Sequence, residues 1–381
     1  MSRYHSPHDE SQQSVTSIVS TIFLLVIVSS VLLHHMGEDD RTHVAPSHVT
    51  QRPTTVPDGM RRPALATVVD RDPPPPSSVR VGGDNQVGKQ PLTPVISPNE
   101  LGYIPVLMYH AFTQNEAYLD QWTVTLETFR QHLQWFYDRD FFILSMEDLI
   151  NNEISVPPGK HPIVLTFDDS SSGQFRLLRD ETGGFYPDPK TAVGIMEAFF
   201  EDHPGFGRGA FFAVVPIRCF QYKEEVTTCE ERLAWLAEHG YEIANHTWSH
   251  ENLRDVSEDT LIAQIGDATL WIDERVPDQG NRSSILVIPY GEYPADAQQF
   301  DKITTEFPWD GQMVQLIAAV AVAGGPSVSP SSDNWDPWVI TRVNTDDATL
   351  GYWQDQIDTG AMTMYTSDGD PTTTAISKDS S

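Results

Sequence analysis

Between residues 104 and 291, short apolar runs alternate with stretches of helical periodicity, and few folds accept such an alternation. IPVLMYH (104–110), FFIL (141–144), PIVLTF (162–167), GAFFAVV (209–215), YEIAN (241–245) and SILVIPYG (284–291) have the length of buried strands, the last ending in a turn. Among them, Leu126, Phe129, Leu133 and Phe136 recur at helical spacing, and residues 191–203 and 256–275 read as helices. ERLAWLAEHG reads as a helix stopped by Gly240, and Ser145 with Asp148 as a capping box opening a short one. Repeated strand-then-helix units predict an α/β domain with a parallel sheet or barrel, whose chemistry sits where the strands end.

The flanks read differently. After a short tail (1–15), TSIVSTIFLLVIVSSVLL (16–33) carries no charge and approaches the roughly 20 residues needed to cross a bilayer. A cleaved signal peptide is the rival reading, but no A-x-A-like site follows, only HHMGEDD. Arg3 is the only Lys or Arg before the segment, so flanking charge says little about orientation. The expectation is a single-pass membrane anchor with the large C-terminal part extracytoplasmic, or a secreted protein if the segment is cleaved. Residues 34–100 are rich in Pro, Ser and Thr, with PPPP at 73–76, and predict a disordered linker. The folded domain is expected over 101–366 and a disordered tail over 367–381.

The formal net charge is −30, with 54 acidic against 24 basic residues. Such a surface repels nucleic acid and anionic headgroups, so a nucleic-acid partner is excluded. Nothing points to a protein partner. The two cysteines, Cys219 and Cys229, could close a short disulfide loop in an exported domain; a cysteine-based zinc site lacks further ligands nearby.

Chemistry-bearing residues follow the strands. His110 follows PVLMY, Asp168 and Asp169 follow IVLTF, His246 and His250 follow YEIAN, and Pro289 and Tyr290 follow SILVI. In extended chain, residues four apart lie about 13 Å from each other. His246 and His250 can therefore share one ion, at bond lengths of about 2.0–2.1 Å, only if the chain turns after Asn245, for instance through one helical turn. Thr247 stands where the zinc-protease H-E-x-x-H pattern needs glutamate, which removes that reading. Adjacent carboxylates at a strand end repel each other unless a cation is near. Two histidines and one aspartate fit a divalent-metal site, with one carboxylate left to handle protons.

TFDD (166–169), NHTWSH (245–250) and PYG (289–291), in this order, resemble the first three motifs of the NodB-homology polysaccharide deacetylases, carbohydrate esterase family 4. EHGYEIANHTWSH as a whole carries the resemblance most specifically. It covers roughly residues 103–345. It implies a distorted (β/α) barrel and metal-dependent removal of N-acetyl groups from an amino-sugar polysaccharide. It further implies Asp168 as catalytic base, and Asp169, His246 and His250 as ligands of a divalent metal. Zinc is the first expectation, with cobalt, nickel or iron also compatible with these donors. The oxyanion is expected on the metal and a backbone N–H of the Pro289–Tyr290 turn.

Two departures matter. Val287 stands where the family's third motif carries arginine, and the closing leucine-x-histidine is absent, since no histidine follows His250. LMYH (107–110) resembles the arrangement in which the last barrel strand has moved to the front, which implies His110 as general acid. Arg342 of VITRV is the candidate replacement for the missing arginine, holding Asp168 ionised. Trp248, Trp335, Trp338 and Tyr290 are candidates for stacking on sugar rings, and GFYPDP (184–189) and residues 216–229 for loops walling a groove. A non-catalytic glycan-binding module and an O-acetyl esterase on the same metal are the rival readings.

Overall fold

The computed structural model describes residues 97–222, 227–280 and 282–376. The expected N-terminal tail, the anchor over 16–33 and nearly all of the linker lie outside the described residues. Among those described, no helix is long and apolar enough to cross a membrane.

The main sheet has eight strands: β1 Val106–Tyr109, β2 Phe141–Ile143, β3 His161–Phe167, β4 Phe211–Val214, β5 Glu242–Asn245, β6 Ile285–Val287, β7 Ala318–Gly324 and β8 Ile340–Asn344. Their order is β1–β8–β7–β6–β5–β4–β3–β2, and β1 also pairs with β3. That extra pairing closes a ring and leaves β2 outside it, on the edge of β3. All the pairings are parallel. The expected α/β barrel is therefore what the chain forms.

Period-2 alternation accounts for the two buried faces, as a parallel sheet covered on both sides requires. Val106, Val164, Phe211, Ala213, Ala244, Ile285, Val287, Ala318, Val320 and Ile340 share one cluster inside the ring. Their neighbours Leu107, Leu165, Phe212, Val214 and Ile243 pack outward with the helices. These are α1 Leu126–Tyr137, α2 Met146–Asn151, α3 Ala192–Asp202, α4 Cys229–Glu238, α5 Glu258–Arg275, α6 Ala297–Ile303 and α7 Asp347–Asp358. Phe129, Leu133 and Phe136 form the inward stripe of α1, each fully buried and worth roughly 1.5–3 kcal/mol of transfer free energy. Side-chain caps set the helix starts: Thr125 on α1, Ser145 on α2, Thr191 on α3 and Ser257 on α5, with a reciprocal Thr228–Glu231 capping box on α4.

The structure corrects the sequence reading at both edges of the domain. Residues 97–100, expected in the linker, and 367–376, expected in a frayed tail, lie against the barrel. Asn99 and Thr366 exchange backbone hydrogen bonds of 2.9 and 2.8 Å, and Glu100 N donates to Ala375 O at 2.8 Å. Ser367 Oγ donates to Val156 O at 2.7 Å, and Ser329 Oγ to Glu100 O at 2.6 Å. Polar backbone pairing holds these segments, and it leaves no apolar periodicity in the sequence. GFYPDP is likewise no free loop: Phe185–Pro187 pairs antiparallel with Leu177–Arg179.

Candidate active site

Strand register brings the site together. Tyr109 pairs with Phe167, so His110 and Asp168 leave the sheet side by side. Asn245 pairs with Val214 and with Leu286, which sets His246 beside Val287. The same alternation that points Val106, Val164, Ala244 and Ile340 into the ring carries His110, Asp168, His246 and Arg342 onto that inner face, nearer the strands' C-terminal ends.

Asp168 is fully buried. Arg342 meets it as a fork, with its two terminal guanidinium nitrogens each 2.7 Å from one carboxylate oxygen. The same guanidinium donates to Thr166 Oγ1 at 3.0 Å and to Ala321 O at 2.6 Å, and is itself buried. Burial pushes the Asp168 carboxyl up, but Arg342 and the nearby histidines pull it down further, so it stays well below the usual carboxylate range. His110 Nε2 lies 3.8 Å from Asp168 Oδ2. Burial lowers the His110 imidazole from its ordinary value, and the Asp168 charge opposes that.

Asp169 and Ser170 take left-handed conformations, φ 77° and 51°, which turn the chain sharply off β3 and swing Asp169 toward the histidines. Ser170 fixes the turn: its Oγ accepts from Val215 N and its carbonyl from Phe220 N, both at 2.8 Å. The bend that the histidine pair needs is not a helical turn. Thr247 and His250 are both left-handed, φ 62°, and the loop hangs on side-chain bonds. Thr247 N donates to Asn245 Oδ1, His250 N to Thr247 Oγ1, and Gln264 of α5 bonds both the backbone and the hydroxyl of Ser249.

One donor atom each from Asp169, His246 and His250 lies within 4.8 Å of the others. His246 is buried and donates its Nδ1–H to Val287 O at 2.9 Å, which aims Nε2 toward Asp169 Oδ1 at 3.8 Å. That buried Nε2 has no hydrogen-bond partner among the described residues. His250 Nε2 lies 3.2 Å from the same oxygen. Burial and the neighbouring His246 push the His250 ring down to about 4, which keeps it in the neutral form that ligates. An orphaned imidazole nitrogen, a second neutral imidazole and a carboxylate converging on one point fit a divalent cation.

Val287, where an arginine was expected, uses its carbonyl to orient His246, while Arg342 of β8 reaches Asp168 from the other side of the ring. Pro289 is buried; Tyr290 is 60% exposed, left-handed at φ 57°, and its ring lies edge-on to His250 at 4.5 Å. Trp248 is half-buried beside the histidines. Trp335 and Trp338 pack on core clusters, which accounts for them without a sugar. Three site residues escaped the sequence reading. Trp122 packs on His110, with centroids 4.7 Å apart. Gln174 Nε2 bridges the carbonyls of His110, at 2.6 Å, and Asp168, locking the two strand ends together. Arg218 contacts Asp169 Oδ1 at 2.8 Å. None of the three belongs to a run or spacing pattern that would mark it.

Barrel and site together define a parallel α/β domain with a two-histidine, one-aspartate centre beside a buried Asp–Arg pair. Residues 213–304 match the family model described as polysaccharide deacetylase. No curated protein matches the chain. Among solved structures it is similar to the Streptococcus pyogenes deacetylase PplD in complex with acetate, at 18% identity over 66% of this chain and 97% of that one, TM-score 0.45. It is also similar to a polysaccharide deacetylase from Bacillus cereus (15%, 67% and 69%, TM-score 0.48) and to IcaB from Ammonifex degensii (16%, 66% and 97%, TM-score 0.44).

Proposed function

We propose that this domain is a metal-dependent hydrolase that removes N-acetyl groups from an amino-sugar polysaccharide outside the cytoplasm, tethered by the segment over 16–33 or released if that segment is cleaved. The observation that carries the reading is the convergence of Asp169, His246 and His250 beside an ionised Asp168. A disulfide between Cys219 and Cys229 supports an oxidising location.

A divalent cation held by Asp169, His246 and His250 would polarise the acetamide carbonyl and acidify a water. Asp168 accepts the proton of the attacking water, and Arg342 keeps that carboxylate ionised and aimed. His110, 3.8 Å from Asp168, gives a proton to the departing amine, which leaves poorly without one. The turn at Pro289 and Tyr290 offers a backbone N–H toward the developing oxyanion, and Trp122, Trp248 and Tyr290 offer ring faces to sugars.

The reading is tested by acetate release from N-acetylglucosamine oligomers and from O-acetyl esters. We expect release from the oligomers that stops with a chelator, returns with zinc or cobalt, and is absent in His250→Ala. Binding without release would make the domain a glycan-binding module, and release from esters alone an esterase. His110→Ala is expected to slow amides on the order of a hundredfold and activated esters much less, because their leaving groups need no proton. Equal slowing of both would remove His110 as the acid.

A further inference from the structure

Arg218 stands on the same carboxylate oxygen that faces both histidines. Its guanidinium lies 2.8 Å from Asp169 Oδ1, the atom 3.2 Å from His250 Nε2 and 3.8 Å from His246 Nε2. Its side chain is 44% exposed, so burial does not force the contact. The contact comes from a built loop. Arg218 N and Cys219 N both donate to Val215 O, and Phe220 N donates to Ser170 O. Cys219 and Phe220 are left-handed, φ 39° and 58°, a costly arrangement for side chains of this size. The Cys219–Cys229 disulfide ties this turn to the first residue of α4, and the Arg232 guanidinium, buried, donates to Cys219 O at 3.1 Å. The turn thus holds one arginine on Asp169, in a chain of formal net charge −30.

We propose that Arg218 is a positioning residue that competes with the cation for Asp169, and that the turn from Val215 to Phe220, tied by the Cys219–Cys229 disulfide, sets the strength of this competition. The inference rests on the metal reading above. A guanidinium on the outer oxygen of a ligating carboxylate would orient it and aid binding. On the inner oxygen, shared with the histidines, it withdraws charge from the ligand and repels a divalent ion. The geometry is the second kind. The physical consequence is a centre that takes its ion less tightly than its three donors alone would allow. Reducing the disulfide frees the loop and removes part of the restraint.

The test measures zinc and cobalt dissociation constants by chelator competition on the full-length chain in mild detergent, for the parent, Arg218→Ala, Arg218→Gln and Arg218→Lys. Tightening of roughly three- to tenfold is expected in Ala and Gln, the range of an exposed ion pair plus a nearby like charge, and little change in Lys. Added salt should shrink the difference, because it screens the exposed guanidinium. In a Cys219→Ser/Cys229→Ser background, Arg218→Ala should tighten binding by less than it does in the parent. Unchanged or weaker binding in Ala and Gln, in a parent that does bind metal, would overturn the competition and leave the metal reading standing. A parent that takes up neither ion would overturn both, and His250→Ala supplies the non-binding control.

Discussion

Asp168→Asn is expected to lower kcat for acetate release by about two to four orders of magnitude while the protein still takes up its metal. The two aspartates are adjacent in sequence but turned apart by the left-handed backbone at Asp169. Asp168 continues the inward alternation of β3 and is claimed by Arg342, whereas the left-handed Asp169 turns to the histidines. An asparagine at 168 matches the carboxylate in shape, keeps one oxygen for Arg342, and cannot accept a proton. It also leaves the buried Arg342 charge without a full counter-ion, so kinetics belong well below the variant's melting temperature. Asp169→Ala should behave differently, losing metal and activity together. Metal content and acetate release, measured on both variants, separate the roles. Parent-like turnover in a metal-loaded Asp168→Asn would mean the base lies elsewhere.

The strands before His110, Asp168, His246 and Pro289 were legible because each is a short, mainly apolar run ending in a polar cluster. All six runs, four of them followed by site residues, and the helices between them lie where their patterns put them. β7 and β8 were not read. AAVAVAG is rich in alanine, which favours helix on propensity, and only its pairing between β6 and β8 makes it a strand. β8 is interrupted by Thr341 and Arg342, polar residues that periodicity assigns to no core. The inward placement of an arginine there follows from its partner Asp168, 174 residues earlier in the chain, and no local pattern encodes that distance. Asp169, His246 and His250 were legible as a set because their residue types and positions after strands limit the chemistry. The way the chain bends to unite them was not, since left-handed Thr247 and His250 depend on Asn245 and on Gln264 of a separate helix. Trp122, Gln174 and Arg218 act through loops whose course the ring closure sets.

Arg342→Met is expected to destabilise the domain by about 3–5 kcal/mol, the cost of leaving a buried carboxylate without its partner. For a domain of this size that is on the order of 10 °C in melting temperature. The sign with pH follows from Asp168. In the parent its pKa is depressed, so the pair's contribution is fully present above the ordinary value of 3.8 and is lost as pH falls through the folded value. In Arg342→Met only the nearby histidines still oppose burial, the largest influence on this carboxyl, and the pKa is expected to move above the ordinary value. The carboxylate form is then the penalised one, and the variant loses stability as pH rises. The gap between the two proteins should therefore narrow on going from about pH 7 to about pH 4, as measured by thermal melts in each buffer. Replacing both partners, Arg342→Met with Asp168→Leu, should recover much of the stability and none of the turnover, since no buried charge is then left unpaired. A single variant as stable as the parent at pH 7 would mean that water reaches Asp168, and that its ionisation does not depend on Arg342.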